Sequence, residues 1–514
     1  MTVVDDAKSR SGTAPMSHRQ ILQALSGLYM GMFVAILSST IVTNALPTIV
    51  ADLHAGQSVY TWVIIATLLT TTVSSPIWGK LADLVSKKLL IQLGLIIFTA
   101  GSVLSGLAAG SALLIAARAL QGVGAGGLLA LTQVIMATMI TPRQRGRYSG
   151  YLGAVLAVAT SAGPLIGGVI VDTSWLGWRW CFFVGVPFAI IAMLLLQKTL
   201  HLPVLKRNVR VDWAGAALIT AAASLLLVWV TFAGDKYAWV SAASAAMVGG
   251  ALLLAVVFVL VERRAAEPIL PLWLFRNRTV VLAIVGGLVI GVGLYSGTTF
   301  LSQYFQLSKD KSPTVAGLLA LPMILGLALA SGLSGRVITA TGRWKPFLVS
   351  GAVLVAAGLA LLGFTRDDTP YWWLAAGMTL LGVGLGTTLQ NLVLAVQNQV
   401  RLQELGAAST SVSFFRSLGG TIGVSALGAV LASQVVQYTR DGLAQLGVHT
   451  AGGSSVPRLA DLPAPIRAVV EDAYGHATGN LFLYTVPFAL LALLCILFIK
   501  EVPLRTSHQL DEAK

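Results

Sequence analysis

Long apolar runs alternate with short polar connections along most of the chain. Fourteen runs are about 20 residues long, the length that an α-helix needs to cross the hydrocarbon core of a bilayer. They cover residues 24–46, 60–79, 89–108, 112–136, 150–170, 180–196, 213–233, 239–261, 280–305, 315–335, 347–364, 371–396, 408–433 and 477–499. Charged residues make up 11% of the chain, whereas soluble domains contain about 25%. The pattern predicts an all-α polytopic membrane protein.

The basic residues are concentrated in every second connection. Of the 34 Lys and Arg residues, 24 lie in the set of connections that includes both termini and 8 lie in the alternate set, while Arg118 and Arg416 fall inside apolar runs. Connections rich in Lys and Arg face the cytoplasm, so we expect both termini to be cytoplasmic. Topology then explains the net charge of +14, and no nucleic-acid partner is expected.

Two stretches of the chain recur after roughly 260 residues. "GKLADLVSKK" from Gly79 resembles "GRVITATGRWK" from Gly335, and "LQGVGAGG" from Leu120 resembles "LLGVGLGT" from Leu380. Such internal repeats indicate a chain built from two similar halves. The predicted segments are a tail 1–20, a six-helix half 21–197, two inserted helices with basic flanks 198–278, a second six-helix half 279–499 with an outer loop 434–476, and a tail 500–514.

Three motifs in the first half carry a family resemblance. They are "GKLADLVSKKLL" after the second apolar run, "RALQGVGAGG" in the fourth and "AVATSAGPLIGG" in the fifth. Together they resemble the major facilitator superfamily, and specifically its fourteen-spanner drug:proton antiporter branch of the QacA/EmrB type. The resemblance implies the major facilitator fold, with two six-helix halves plus two inserted central helices. It also implies export by alternating access, driven by proton entry.

The resemblance assigns conformational roles to two of these motifs. The first motif would hold the two halves together in the outward-facing state through Gly79, Asp83 and Lys88. An ordinary basic cytoplasmic turn is the alternative. The fifth-helix motif would bend its helix and pack it tightly, because proline removes a backbone donor and glycines admit a close neighbour. Its residues are Gly163, Pro164, Gly167 and Gly168.

The fourth-helix motif places a charge within the membrane. In the family the arginine at the position of Arg118 faces the central cavity near the proton route, and Gln121 follows it. A charge at the bilayer centre costs at least ~3 kcal/mol on insertion scales, so it marks a functional site unless helix carbonyls compensate it. Both a coupling role and a packing role remain open for Arg118.

The sequence departs from the family at the expected proton carrier. The first-helix motif of this branch carries an aspartate where this chain has Ser38, and no acidic residue lies deep within an apolar run. Buried carboxylates are the usual carriers because burial favours their protonated form. The candidates left are Asp83 together with Arg118 on the cytoplasmic side, or Asp52 and Asp172 near the outer mouth.

A substrate pocket would need aromatic and amide side chains on the spanning helices. Large apolar ligands bind promiscuously to such surfaces, although hydrogen bonding between helices could equally explain each residue. Arg416 either reaches the cytoplasmic surface along its helix or faces the cavity. If Arg416 and Arg118 both face the cavity, the cavity is positive, which disfavours dications and tolerates neutral or anionic amphiphiles. The predicted pocket residues are Asn44, Gln133, Phe300, Gln303, Tyr304, Gln390, Asn391 and Arg416.

These observations favour a plasma-membrane (inner-membrane) exporter of amphipathic drugs or related lipophilic compounds. Its partners would be the substrate, protons and the lipid bilayer, and we expect a monomer. A dedicated exporter of one metabolite or lipid is the alternative within the class, and a membrane scaffold or sensor is the alternative outside it. Cys181 and Cys495 lie in apolar runs and suggest neither a disulfide nor a metal site. No enzymatic activity and no cofactor are expected.

Overall fold

The computed structural model describes residues 18–53, 57–173, 175–200, 212–234, 236–265, 267–401, 404–446 and 463–505. A few side chains within helices are outside this description, among them those of the predicted site residues Asn44, Pro164 and Asp172. The sixteen α-helices of the described residues are α1 His18–Asp52, α2 Gln57–Leu84, α3 Lys87–Gly106, α4 Ser111–Met139, α5 Pro142–Asp172, α6 Trp180–Phe183, α7 Gly185–Thr199, α8 Trp213–Phe232, α9 Ala242–Glu262, α10 Arg278–Leu307, α11 Pro313–Leu319, α12 Leu321–Thr341, α13 Lys345–Leu362, α14 Tyr371–Gln397, α15 Leu405–Gln445 and α16 Ala464–Leu497.

The helices form two halves with matching internal packing. In the first half α4 packs on α2 and α3, and in the second half α14 packs on α12 and α13. The halves meet along two seams, α2 against α15 and α5 against α12. The inserted helices α8 and α9 pack on each other, and α8 also contacts α2 and α15. The insert therefore lies beside one seam.

Glycines explain why α4 and α14 pack in the same way. A Cβ atom on Gly124 would overlap the backbone of α3, and one on Gly126 would overlap the backbone of α2. In the second half, a Cβ atom on Gly384 would overlap the backbone of α13, and one on Gly386 that of α12. Small residues let membrane helices approach to backbone contact. The repeated "GVGAG" and "GVGLG" motifs thus seat one helix against two neighbours in each half.

Replacing Gly124 with leucine is expected to destabilise the first half by roughly 1–3 kcal/mol, because the added side chain must force α3 and α4 apart. The measurement is thermal unfolding of the purified protein in detergent. Gly249→Leu on α9 is the matched control, since a Cβ atom there meets nothing within 4 Å. Equal unfolding temperatures for the two variants would contradict this account of the packing.

The number and extent of the membrane helices differ in part from the prediction. Thirteen helices of the described residues are long and apolar enough to span a membrane, so fourteen spanners remain a prediction. The fourteenth would be α5, which contains the predicted run 150–170 and is 31 residues long. Helical structure also extends into the predicted outer loop 434–476, because α15 continues to Gln445 and α16 begins at Ala464. Hydropathy marks only the apolar part of such helices, and their polar ends project beyond it.

Candidate functional site

Arg118 is buried in the first half, where it contacts α2 and α6. The side chain is on α4, and the residue is only 2% exposed. Its Nη1 donates to Oε1 of Gln121 at 2.5 Å, and its Nε lies 3.5 Å from the carbonyl oxygen of Val63 on α2. The guanidinium carbon lies 6.0 Å from the ring centroid of Phe182. Dipoles and an aromatic face thus surround this cation.

Gln121 connects Arg118 to two further helices. Its Nε2 donates to the hydroxyl of Ser38 on α1 at 3.0 Å and to the hydroxyl of Ser102 on α3 at 2.7 Å. In the part of the chain that the structure describes, no carboxylate forms an ion pair with Arg118. A buried cation without a counter-ion is costly. The network of Arg118, Gln121, Ser38 and Ser102 is therefore held by neutral groups.

Asp83 joins the two halves. It lies near the end of α2, and its Oδ1 and Oδ2 accept hydrogen bonds from the backbone N–H groups of Gly406 and Ala407, both at 3.0 Å. These N–H groups lie in the first turn of α15, where a helix has unsatisfied donors and a partial positive charge. Thr410 of the same helix contacts Gly79 so closely that a Cβ atom on Gly79 would overlap it. Asp83 thus caps a helix of the opposite half.

Arg145 makes a second connection between the halves at the same end. It is 3% exposed at the start of α5 and donates to Oε1 of Gln397 on α14 at 2.5 Å. It also donates to the carbonyl oxygens of Ile140 and Ala137, at 2.8 and 2.6 Å. The sequence pattern had marked it only as a topological cation.

All hydrogen bonds between the halves that join described residues lie at one end of the molecule. Besides those of Asp83 and Arg145, Nε2 of Gln133 donates to Oε1 of Gln390 at 3.1 Å, and Arg143 bonds to carbonyl oxygens of Thr339 and Arg505 at 3.4 Å. We call this end, at which α1 and α5 begin and α2 and α4 end, the closed end. Gln133 and Gln390, predicted as pocket residues, therefore meet each other across the two halves.

The other candidates for proton coupling and conformational change lie within the first half. Asp52, at the opposite end, accepts a hydrogen bond from Nε1 of Trp178 at 2.7 Å, with Arg179 at 3.7 Å. Nζ of Lys88 donates to the carbonyl oxygen of Gln197 at 2.7 Å. The structure therefore does not place Asp83 beside Arg118, and it brings neither Asp52 nor Lys88 to the contact between the halves.

The fifth-helix motif packs on α1. A Cβ atom on Gly163 would overlap the side chain of Thr40, and one on Gly167 would lie 3.1 Å from the carbonyl oxygen of Ile41. Gly168 is partly exposed. The close packing predicted from the glycines is thus present at Gly163 and Gly167. The predicted bend depends on Pro164, whose side chain is outside the described residues.

The other predicted pocket residues differ in burial and in their hydrogen-bond partners. Phe300 and Tyr304 are buried in the second half, where the Tyr304 hydroxyl donates to the carbonyl oxygen of Arg366 at 2.7 Å. The Asn391 amide donates to a carbonyl of its own helix at 2.7 Å. Gln303 and Arg416 are partly exposed. Phe300, Tyr304 and Asn391 thus serve the packing of the second half. Helical spacing alone could not show which helix their side chains contact.

Comparisons with known proteins agree with this architecture. A sequence profile of the Major Facilitator Superfamily matches residues 28–424. The chain is 35% identical to the multidrug transporter protein MdtP of Bacillus subtilis, over 89% of this chain and 81% of that protein. It is 32% identical to the efflux pump dotC of Dothistroma septosporum, over 96% of this chain and 86% of that protein.

Solved structures show the same fold at low sequence identity. The proton:xylose symporter XylE aligns with a TM-score of 0.65 at 13% identity, covering 94% of this chain and 96% of that one. The human organic anion transporter MFSD10 aligns with a TM-score of 0.60 at 14% identity, covering 91% of this chain and 99% of that one. The profile match extends over both halves of the chain. The chain is a transporter that belongs to the Major Facilitator Superfamily.

Proposed function

We propose that this protein exports amphipathic or lipophilic compounds from the cytoplasm by alternating access, driven by proton entry. The observation that carries the proposal is the closed end, where Asp83, Arg145 and Gln133 bond one half to the other. Among the described residues, the halves are hydrogen-bonded to each other at this end, and they can separate there when those bonds break. The names of the relatives, a multidrug transporter and an efflux pump, support export of drug-like molecules.

The charge distribution supports the proposed orientation. The closed end carries the connections that are rich in Lys and Arg, so we assign it to the cytoplasm, together with both termini. On this assignment α5 is the fourteenth spanning helix, and the structure corresponds to the outward-facing state. We place the protein in the plasma membrane of its cell and expect it to act as a monomer.

Two features bear on the substrate and on the proton. Arg118 has no carboxylate partner among the described residues, and Arg416 is the other cation within a predicted apolar run, which favours neutral or anionic amphiphiles over dications. Of the acidic candidates, Asp83 bonds across the halves. Protonation of Asp83 would remove the negative charge that caps α15 and would weaken the closed end. Asp83 is therefore our candidate for the group through which protons act on the halves.

Transport by the purified protein in proteoliposomes tests the proposal. The protein is supplied with a panel of neutral, anionic and cationic fluorescent amphiphiles under imposed pH and voltage gradients. We expect accumulation of neutral or anionic members only when a proton gradient is imposed, and we expect collapse of the gradient to abolish it. Equal flux with and without the gradient would contradict proton coupling. Absence of flux for every member would contradict export of amphiphiles.

A further inference from the structure

Two carboxyl groups meet at the closed end of the inserted helices. Asp212 precedes α8, and its Oδ1 accepts a hydrogen bond from the backbone N–H of Gly215 at 2.8 Å. Glu262 is the last residue of α9, is 3% exposed, and its Oε1 accepts from the backbone N–H of Ile269 at 3.1 Å. A Cβ atom on Gly215 would overlap oxygen atoms of both carboxyl groups. The two groups therefore face each other across this glycine.

One oxygen of each carboxyl group is left without a partner. Oδ2 of Asp212 and Oε2 of Glu262 are both buried, and neither has a hydrogen-bond partner among the described residues. Two carboxylates this close cannot both be ionised without strong repulsion, and a buried acceptor without a donor is costly. A single proton on one of these oxygens would remove the repulsion between the two carboxyl groups.

We propose that Asp212 and Glu262 form a proton-binding site that holds one shared proton. Among the described residues, no cation of a neighbouring element bonds to the two unpartnered oxygens. Lys80 of α2 is committed to Glu267, with 2.6 Å between Nζ and Oε2. Arg263 is exposed, so water screens its charge.

The site exchanges its proton with water at the closed end. A groove of about 510 Å³ lies beside Glu262 and is lined by Arg263, Arg276, Trp273 and further residues of α9 and the following turn. Arg276 in this groove is exposed as well and is screened in the same way. The groove therefore gives the carboxyl pair access to solvent on the side that the proposed function assigns to the cytoplasm.

The proton site controls how the insert docks on the two halves. Glu262 holds the backbone at Ile269, and the next residue, Leu270, is 3% exposed in a cluster with Val73 of α2 and Phe414 of α15. Loss of the proton would leave both carboxylates negatively charged, and their repulsion would push Glu262 away from α8. The connection after α9 would then loosen from the α2–α15 seam. A rise in pH at the closed end thus weakens the docking of the insert.

The unfolding temperature as a function of pH tests the site without any transport measurement. In the wild-type protein the folded pair binds a proton that the unfolded chain releases, so stability must fall as the pH rises through neutrality. In Glu262→Gln the amide donates to the Asp212 carboxylate without a proton. We therefore expect a clearly smaller loss of unfolding temperature between about pH 5 and about pH 9. Asp441→Asn, at an exposed carboxylate on α15, should keep the wild-type profile.

Infrared spectroscopy keeps the proposal testable if the glutamine variant does not fold. The wild-type protein at neutral pH should show the C=O stretch of a protonated carboxyl group, and Asp212→Asn should remove it while Asp441→Asn should not. A wild-type spectrum without such a band would overturn the proposal. Identical pH profiles for wild type and Glu262→Gln would also overturn it. Since neither measurement involves a substrate, failure of the proposed export would leave both results interpretable.

Discussion

Arg118→Ala abolishes gradient-driven export while the protein still folds: this is the largest effect that we expect. The side chain is 2% exposed and orders Gln121, which in turn bonds Ser38 and Ser102. A buried cation held only by neutral groups persists where its charge is used in the transport cycle. We expect the transport rate to fall by more than about tenfold, which is a loss of more than about 1.4 kcal/mol of transition-state stabilisation. The measurement is uptake into proteoliposomes under a fixed proton gradient.

The controls for Arg118 separate charge from packing. Arg118→Lys should not restore the full rate, because an ammonium group cannot reproduce the planar guanidinium that bonds Gln121 and Val63. Arg179→Ala, at an exposed arginine of the first half, should leave the rate unchanged. Ser38→Asp should be tolerated and should shift the pH dependence or the substrate preference towards cations. A wild-type rate for Arg118→Ala would show that the residue serves packing only.

The second large effect is expected at Asp83. Asp83→Asn keeps one acceptor oxygen but loses the charge and the second hydrogen bond to the first turn of α15. Caps of this kind contribute about 1–2 kcal/mol, which corresponds to a 5- to 30-fold shift in the balance between closed and open halves. The measurement is the rate at which a cysteine at the buried Thr410 position reacts with a thiol reagent supplied from the cytoplasmic side. We expect faster labelling in the Asp83→Asn background.

A matched control for Asp83 lies at the same end of the molecule. The carboxylate of Glu404 accepts a hydrogen bond from the backbone N–H of Arg401 within its own half, at 3.3 Å. Glu404→Gln should therefore leave the labelling of the Thr410→Cys protein unchanged. If Asp83→Asn is labelled no faster than Glu404→Gln, then Asp83 does not hold the halves together.

The sequence predicted the helices well because the bilayer demands them. Backbone groups cannot stay unpaired in hydrocarbon, so every long apolar run must become a helix. The glycines of the repeated motif also indicated close packing, and the structure shows backbone contact on two sides of α4. Helix ends were harder to predict, because polar ends such as 434–445 of α15 extend beyond the apolar core.

The sequence identified most residues of the candidate site, but it did not show which residues they contact. Asp83 was singled out by its motif, yet its partners at Gly406 and Ala407 are more than 300 residues away and follow only from how the halves pack. Arg145 resembled the other basic residues of its connection until its burial was known. Tyr304 shares a helical face with other pocket candidates, but its hydroxyl bonds within the second half. Helical periodicity shows which residues share one face of a helix, but it does not show which other helix packs against that face.

The distance across the closed end tests the account most directly. Spin labels at Val85, just after α2, and at Arg401, just before α15, report on opposite halves, and both positions are exposed. Labels at Val85 and Lys198 report on the first half alone and serve as the control. We predict that a transported amphiphile or a change of pH lengthens the first distance and leaves the second unchanged. A distance between Val85 and Arg401 that stays constant under conditions of active transport would contradict alternating access through the closed end.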